Sequence, residues 1–445
     1  MDTRPNIILI SADSLRADHL GCYGFPHPTT PYIDAMAKDG FLCENFFCPV
    51  IPTQPSHTTM FTGQHPLTHG VVAHGGKAKL GRSAPFLAEI LLQNGYATCA
   101  VDTLFRERQW FSRGYEWIID PCLHHVFYAS VNQEELTGRA TQWIKSVPPA
   151  EGKPFYLFLH YWDVHYPYTP PEKYRNLFYD GPHPVDPEDH RLDEWWSHPI
   201  GAMAKDTWLR TAKGHITRPE YVTNLYDGAL RYMDEGIGAL QDALRQIDQL
   251  DNTMIVLLAD HGESMTEHRV FYDHYGLYDN VIRVPFVVSW PGGGLKQGGR
   301  LPFIRQMHDV APTLLEAAEI PAPSQMDGQS FLSQMQGFEE FSGYGKFLTM
   351  ESTWQAKYAI RTNEYKFILA REQDLLGNPP RELYNLKADP QELDNLAGKE
   401  PALAGQMEKE LEESVASLLK AAGRTGDPVK EEGASMINIW KGHRA

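Results

Sequence analysis

The sequence predicts an α/β protein built on a large, mostly parallel sheet flanked by helices, and three stretches carry that reading. Ile7-Ile8-Leu9-Ile10 are four consecutive large aliphatic residues, the pattern of a strand buried on both faces, and the run stops close to Asp13. Thr253 to Ala259 is a second run of the same kind and stops at Asp260-His261-Gly262-Glu263. Just before it, Tyr221 to Ile247 repeats Leu225, Ala229, Tyr232, Met233, Ile237, Leu240, Leu244 and Ile247 at three- and four-residue spacing, the pattern of a core-facing helix. Ligands of open α/β sheets bind at the carboxyl ends of the strands. Two distant strand ends therefore deliver Asp and His, both metal-ligand types, to one place. An Asp at such a position also serves as a helix cap or turn residue, so it is the pair that points to a site.

The 445 residues exceed the size at which one core usually stops growing, so a catalytic domain at 1–340 and a smaller unit at 341–445 are expected. Apolar content of 42% and charged content of 22% are those of an ordinary globular protein, and no stretch is long and apolar enough for a membrane span. The N-terminus runs from Asp2 into the first core strand without a leader pattern, so a cytoplasmic protein is expected. A net charge of −17 repels nucleic acid and anionic membranes, which are not expected partners. An anionic substrate must then be held by a metal or local donors, for which 19 histidines are available. Five cysteines without a C-x-x-C pair read as reduced, mostly buried thiols.

In chain order, a polar loop after Asp13 reaches the turn Gly21-Cys22-Tyr23-Gly24, and Thr30 to Gly40 reads as an amphipathic helix. In Pro52-Thr53-Gln54-Pro55-Ser56-His57, the second proline suits the first turn of a helix, and Gly63 is placed to end it. Thr53 then stands at a helix N-terminus, where free N–H groups hold anions and favour an ionised hydroxyl; a plain N-cap is the alternative. Phe155 to His160 is a further buried strand that runs into a loop bearing His165. Residues 170–219 are irregular, proline-rich and contain Trp195-Trp196, and they are expected to form a lid over the site; a solvated spacer is the alternative. Beyond residue 340, strand-like stretches at Tyr358 to Arg361, Lys366 to Leu369 and Glu382 to Leu386 precede a helix at Lys399 to Ala422. A tail containing Met436-Ile437-Asn438-Ile439-Trp440 is expected to pack on a partner subunit in a homo-oligomer.

The pattern Thr53-x-Pro55-Ser56-His57 with Thr62-Gly63 resembles the signature of the sulfatase family, within the alkaline phosphatase superfamily, in which the first position is Cys and the fifth Arg. Pro5-Asn6 with Asp13, the Asp260-His261-Gly262 segment, His308 to Leu315 and the C-terminal strands match that family in order, so the resemblance covers nearly the whole chain. It implies an alkaline phosphatase-like sheet with a small C-terminal α+β subdomain. It also implies one divalent metal ion (Mn, Ca, Zn or Mg) at Asp13, Thr53, Asp260 and His261. His165 matches a family histidine that contacts the ester oxygens, and His274 stands where the family has a lysine.

The departures decide the expected chemistry. Threonine cannot be converted to formylglycine as the signature Cys is, and the superfamily's phosphodiesterases and nucleotide pyrophosphatases use Thr at this position. His57 replaces the signature Arg, Asp13-Ser14 replaces the commoner Asp-Asp, and Asp102-Thr103-Leu104-Phe105 replaces Gly-Lys-Trp-His. With Arg and both Lys missing, His57, His165 and His274 are expected to act as donors, acid and base. The expected function is hydrolysis of a small anionic phosphate ester, a phosphodiester or phosphonate monoester, through Thr53. A sulfate ester hydrolase that uses Thr53 directly, and an inactive homologue that binds an anionic glycan or head group, are the alternatives.

Overall fold

A computed structural model describes residues 4–122, 131–373 and 376–437, with the side chains of 148–151 left out. The expected strand after Pro5 forms as Asn6–Ala12, every residue buried. It lies at the centre of a nine-stranded sheet, between Phe155–Tyr161 and Thr253–Leu258, and is parallel to both. Ala97–Val101 and Trp117–Ile119 extend the parallel half, while Phe286–Ser289 and Phe41–Phe47 continue the other half antiparallel. The sheet is mixed and mostly parallel at its centre. Buried on both faces, each of Ile7, Ile8, Leu9 and Ile10 contributes about 1.5–3 kcal/mol relative to exposure. Chain register here is therefore set by burial and not by the polar residues that follow.

Pro219–Gln246 is the long helix that leads back to the second apolar strand, and Leu225, Ile237, Leu240 and Leu244 are all buried on it. Pro31–Asp39 is the amphipathic helix expected after the first loop. The Thr53 segment forms a helix at Thr53–Thr62, and Gly63 closes it at φ 62°, the left-handed conformation that glycine adopts without steric cost.

The second sheet has the strand order Arg381–Asn385, Tyr365–Ala370, Ala356–Thr362, Lys346–Ser352, Val50–Ile51. Its last strand comes from the N-terminal segment and pairs parallel with Met350 and Glu351, two residues before Thr53. The C-terminal sheet thus fixes the entry to the Thr53 helix. Pro401–Ala421 packs its apolar side, Ala404, Met407, Leu411 and Val415, into this second core. The expected tail contact at Asn438 to Trp440 lies outside the described residues. All five cysteines are free thiols, four buried and Cys22 partly so. Among the described residues no helix is long and apolar enough to cross a membrane.

Candidate active site

The parallel register carries the site to one edge of the sheet. Ser11 pairs with His160 on one side and with Leu258 on the other, so Asp13, the end of Phe155–Tyr161 and Asp260 emerge side by side. Asp13, Asp260 and His261 each offer one ligand atom, and these atoms lie within 4.8 Å of one another; all three residues are fully buried. His261 Nε2 is 3.6 Å from Asp13 Oδ1, 3.2 Å from Asp260 Oδ2 and 3.2 Å from Thr53 Oγ1. The four residues expected to hold the metal are thus brought together.

Local hydrogen bonds explain why they hold this arrangement. His261 Nδ1 donates to the Gly262 carbonyl at 2.9 Å, which leaves the Nε2 lone pair aimed at the carboxylates and Thr53. Ser14 takes φ 60°, a left-handed conformation that costs about 1–3 kcal/mol, and uses it to donate N–H to Asp260 Oδ1 and Oγ–H to Asp13 Oδ1. Where relatives of this sequence pattern carry a second Asp, Ser14 braces both remaining ones. Ser56 and Cys48 both donate to the Asp260 carbonyl, at 2.6 and 2.8 Å, and so clamp the second strand end to the Thr53 helix. Burial and the nearby Asp260 push the Cys48 thiol well above its usual range, so it stays protonated and structural.

The electrostatics are those of a site with more buried carboxylates than protein cations. Among the described residues, none of Asp13, Asp260, Glu263 and Asp273 has a lysine or arginine partner at its carboxylate. Burial and the neighbouring Asp13 push Asp260 up to about 7, and burial pushes Asp273 up to about 7. Burial, with Asp273 and Asp13, raises Glu263 well above the carboxylate range. Asp13 goes the other way, because His165, His160 and His261 outweigh its own burial. Asp260 Oδ2 and both oxygens of Glu263 are buried without a hydrogen-bond partner, and Asp13 Oδ2 has only the His160 ring near it, at 3.3 Å. Buried anionic oxygens in this state fit a divalent cation, and two carboxylates, one imidazole and a hydroxyl are a suitable donor set.

His57 requires a correction. Expected as a donor to substrate, it is fully buried: Nδ1 donates to the Thr53 carbonyl at 2.8 Å, and Nε2 accepts from Ser11 Oγ at 3.0 Å. Its ring lies among Phe61, Phe111, Phe158 and His160. Four residues along a helix, an imidazole folds back on its own first turn and is too short to reach past it as Arg would. His57, His160 and Asp260 also come within 4.8 Å as a potential ligand group, but the Nδ1 proton given to Thr53 leaves His57 no lone pair on that side. His57 therefore positions the Thr53 helix.

His165 and His274 do face the centre. The His274 ring stacks on His261 at 4.4 Å and lies 5.3 Å from that of His165. Burial lowers both, His274 further because His261 and His165 adjoin it, while its Nδ1 lies 3.9 Å from Glu263 and 3.7 Å from Asp273. Trp195 and Trp196 are not the expected lid edge. Trp195 is buried against Tyr272 and Trp208, and Trp196 faces His215 and Lys205.

Sequence reasoning missed His160 and Asp102. His160 Nδ1 bonds Asp102 Oδ1 at 2.9 Å, and its Nε2 lies 3.3 Å from Asp13 Oδ2, so an imidazole bridges two carboxylates behind the metal ligands. Burial disfavours its charge, but Asp102 and Asp13 outweigh that and push His160 up to about 10. The strand-end rule that singled out Asp13 and Asp260 applies equally to His160 and would have found it.

Similarity to known proteins agrees with this geometry. The sulfatase family profile matches residues 5–320, and that of the N-sulphoglucosamine sulphohydrolase C-terminal region matches 266–421. An arylsulfatase of Clostridium perfringens is 23% identical, covering 89% of this chain and 91% of its own length. An N-acetylglucosamine-6-O-sulfatase of Bacteroides thetaiotaomicron is 24% identical, covering 99% and 90%. Among solved structures, a protein in complex with its substrate D-glucosamine-2-N,6-O-disulfate superposes with a TM-score of 0.76 at 20% identity, covering 96% of this chain and 100% of that one. The phosphonate monoester hydrolase of Agrobacterium radiobacter gives 0.73 at 21% identity, covering 94% and 96%. With the strand-end ligands, the Thr53 helix and the C-terminal sheet all in the family's order, the chain belongs to the sulfatase family and has the architecture of a sulfatase-family hydrolase.

Proposed function

We propose that the protein hydrolyses phosphate esters, phosphodiesters or phosphonate monoesters in particular, with Thr53 as nucleophile. The observation that carries this reading is Thr53 itself: a hydroxyl in the position of the family's nucleophile, at a helix N-terminus, 3.2 Å from His261 Nε2. A divalent cation held by Asp13, Asp260, His261 and Thr53 would lower the pKa of the Thr53 hydroxyl and neutralise charge on the ester oxygens. The imidazole in this donor set favours zinc or manganese over calcium.

Thr53 Oγ1, its proton released to solvent on ionisation, attacks phosphorus in line as the bond to the leaving oxygen breaks, and the backbone N–H groups of the helix start hold the phosphoryl oxygens. The leaving oxygen takes a proton from His274 in its imidazolium form, which burial disfavours and the Glu263 and Asp273 carboxylates beside Nδ1 favour. His165 is less suited to this role, since its Nδ1 proton is given to the Tyr166 carbonyl, which leaves Nε2 as an acceptor. Water then attacks phosphorus, breaks the bond to Thr53 Oγ1 and releases the product, with the neutral imidazole taking the water proton. A singly charged ester suits a site with one cation and no lysine or arginine better than a dianion does.

Hydrolysis of sulfate esters by Thr53 is the second reading, favoured by the names of the sulfatase relatives. A rate panel with aryl phosphate mono- and diesters, an aryl phosphonate monoester and an aryl sulfate, with metal content measured on the same sample, decides between them. The phosphodiester or phosphonate monoester should give the largest kcat/KM. An aryl sulfate turned over fastest would replace this reading with the second.

A further inference from the structure

The tip of one C-terminal hairpin stands at the rim of the site. Between Lys346–Ser352 and Ala356–Thr362, the tip is held from two sides. On one side Thr353 Oγ1 accepts from the His74 N–H at 3.0 Å, and His74 lies against Gln54, the residue after Thr53. On the other, the fully buried Glu351 accepts from Gly276 N–H at 2.8 Å and from Gln355 N–H at 3.2 Å. Gly276 is two residues past His274. The tip thus spans from the loop beside the nucleophile to the loop beside the proposed acid.

Every residue from Phe347 to Arg361 is buried except Trp354, which is half-buried at this tip. Its ring meets those of Tyr275 at 6.4 Å and His198 at 5.9 Å, the latter contributed by the 170–219 insertion. Three separate parts of the chain therefore converge on one partly open aromatic corner, adjoining His274 through Tyr275. An indole left half open at a braced tip gains less from burial than the residues around it, so packing alone does not account for it. Across the rim, the nearby Arg108 is already committed to Gln54 and the Gly76 carbonyl. Among the described residues recorded against it, the corner offers aromatic surface and no lysine or arginine.

We propose that Trp354, with Tyr275 and His198, forms the subsite for the leaving group, and that it takes an uncharged flat ring, an aryl group or the face of a pyranose. The proposal rests on the ester hydrolase reading for its place in the reaction. Its chemistry is stacking, in which ring pairs contribute a preference of roughly three- to tenfold.

The test is calorimetric titration of metal-loaded wild type, Trp354→Ala and Trp354→Phe with methylphosphonate, phenylphosphonate and a hexopyranose phosphate, alongside turnover of the matching esters. Wild type should bind the phenyl or the pyranose probe more tightly than the methyl probe. Trp354→Ala should lose that preference, with methylphosphonate affinity unchanged, and Trp354→Phe should keep part of it. The probe whose preference falls identifies the ring class. An equal change for all three probes, no change for any, or no preference in wild type overturns the subsite. If esters are turned over but the preference survives in Trp354→Ala, the subsite fails and the hydrolase reading stands. If the preference is lost but no ester is hydrolysed, the hydrolase reading fails and the subsite stands.

Discussion

Two clusters of buried charge lie in this molecule, and they differ in what completes them. At the junction of the two sheets, the fully buried Lys366 ammonium lies 2.6 Å from Asp279, 2.7 Å from Glu392 and 3.0 Å from the Leu277 carbonyl, while Arg361 pairs with Asp279 at 2.8 Å. Lys366 thereby stands between two carboxylates and a carbonyl. Despite burial, Lys366 and Arg361 hold Asp279 well below the carboxylate range. Glu392 is pushed the other way, up to about 7, because burial outweighs its single lysine. The active-site cluster has four buried carboxylates, Asp13, Asp260, Glu263 and Asp273, with the His160 imidazole beside Asp13 but no ammonium or guanidinium, and Asp260, Glu263 and Asp273 all rise. A buried network whose own cations match its carboxylates is structure; one with carboxylates in excess is built to receive a cation.

The comparison makes opposite predictions for charge removal. Asp260→Asn should strip the bound metal and lower kcat/KM by at least about 10³-fold, yet the metal-free variant should melt no lower than metal-free wild type, since an unpaired buried charge is gone. Lys366→Met strands Glu392 and leaves Asp279 to Arg361 alone, and should cost about 3–5 kcal/mol in urea denaturation, with or without metal. Equal destabilisation by both substitutions in the metal-free state would erase the distinction. His160→Gln breaks the bridge from Asp102 to Asp13 and should weaken metal affinity by about 10- to 100-fold with little change in melting of the metal-free protein. A metal titration that leaves affinity unchanged would reduce His160 to packing.

The smallest effect is in pH. Asp260 is raised in the metal-free folded state, so the folded protein gains stability as pH falls through about 7 towards the unfolded carboxylate value. The melting difference between metal-free Asp260→Asn and wild type should therefore be greatest near pH 8 and fade towards pH 5. A difference independent of pH would mean that Asp260 is not the source of the strain.

The convergence of Asp13, Thr53, Asp260 and His261 was legible because the sheet announces it: apolar runs end at Asp13 and at Asp260-His261, and Pro55 with Gly63 brackets the Thr53 helix. His57 was misplaced because sequence position gives no side-chain direction, and a short ring on a helix turns back to its own backbone. His160 was passed over as a strand residue, although it is paired in register with Ser11. Val50–Ile51 is too short to carry any period, so its place at the edge of the second sheet could only come from tertiary pairing. Trp195 has the composition of an exposed binding loop, but the insertion folds it inward against Tyr272. Side-chain direction and short pairings are set by packing between distant segments, which a linear pattern does not encode.

The central claim is that Thr53 forms a covalent bond with phosphorus. Rapid quench of metal-loaded enzyme during turnover of an aryl phosphodiester, followed by mass spectrometry of the peptide that contains residues 53–62, tests it most directly. The account predicts a phosphoryl adduct on Thr53 that forms and decays at rates compatible with turnover, no adduct in Thr53→Ala, and loss of most activity in that variant while it remains folded. Turnover of the phosphodiester at the wild-type rate by Thr53→Ala would contradict it and assign the attack to a water molecule.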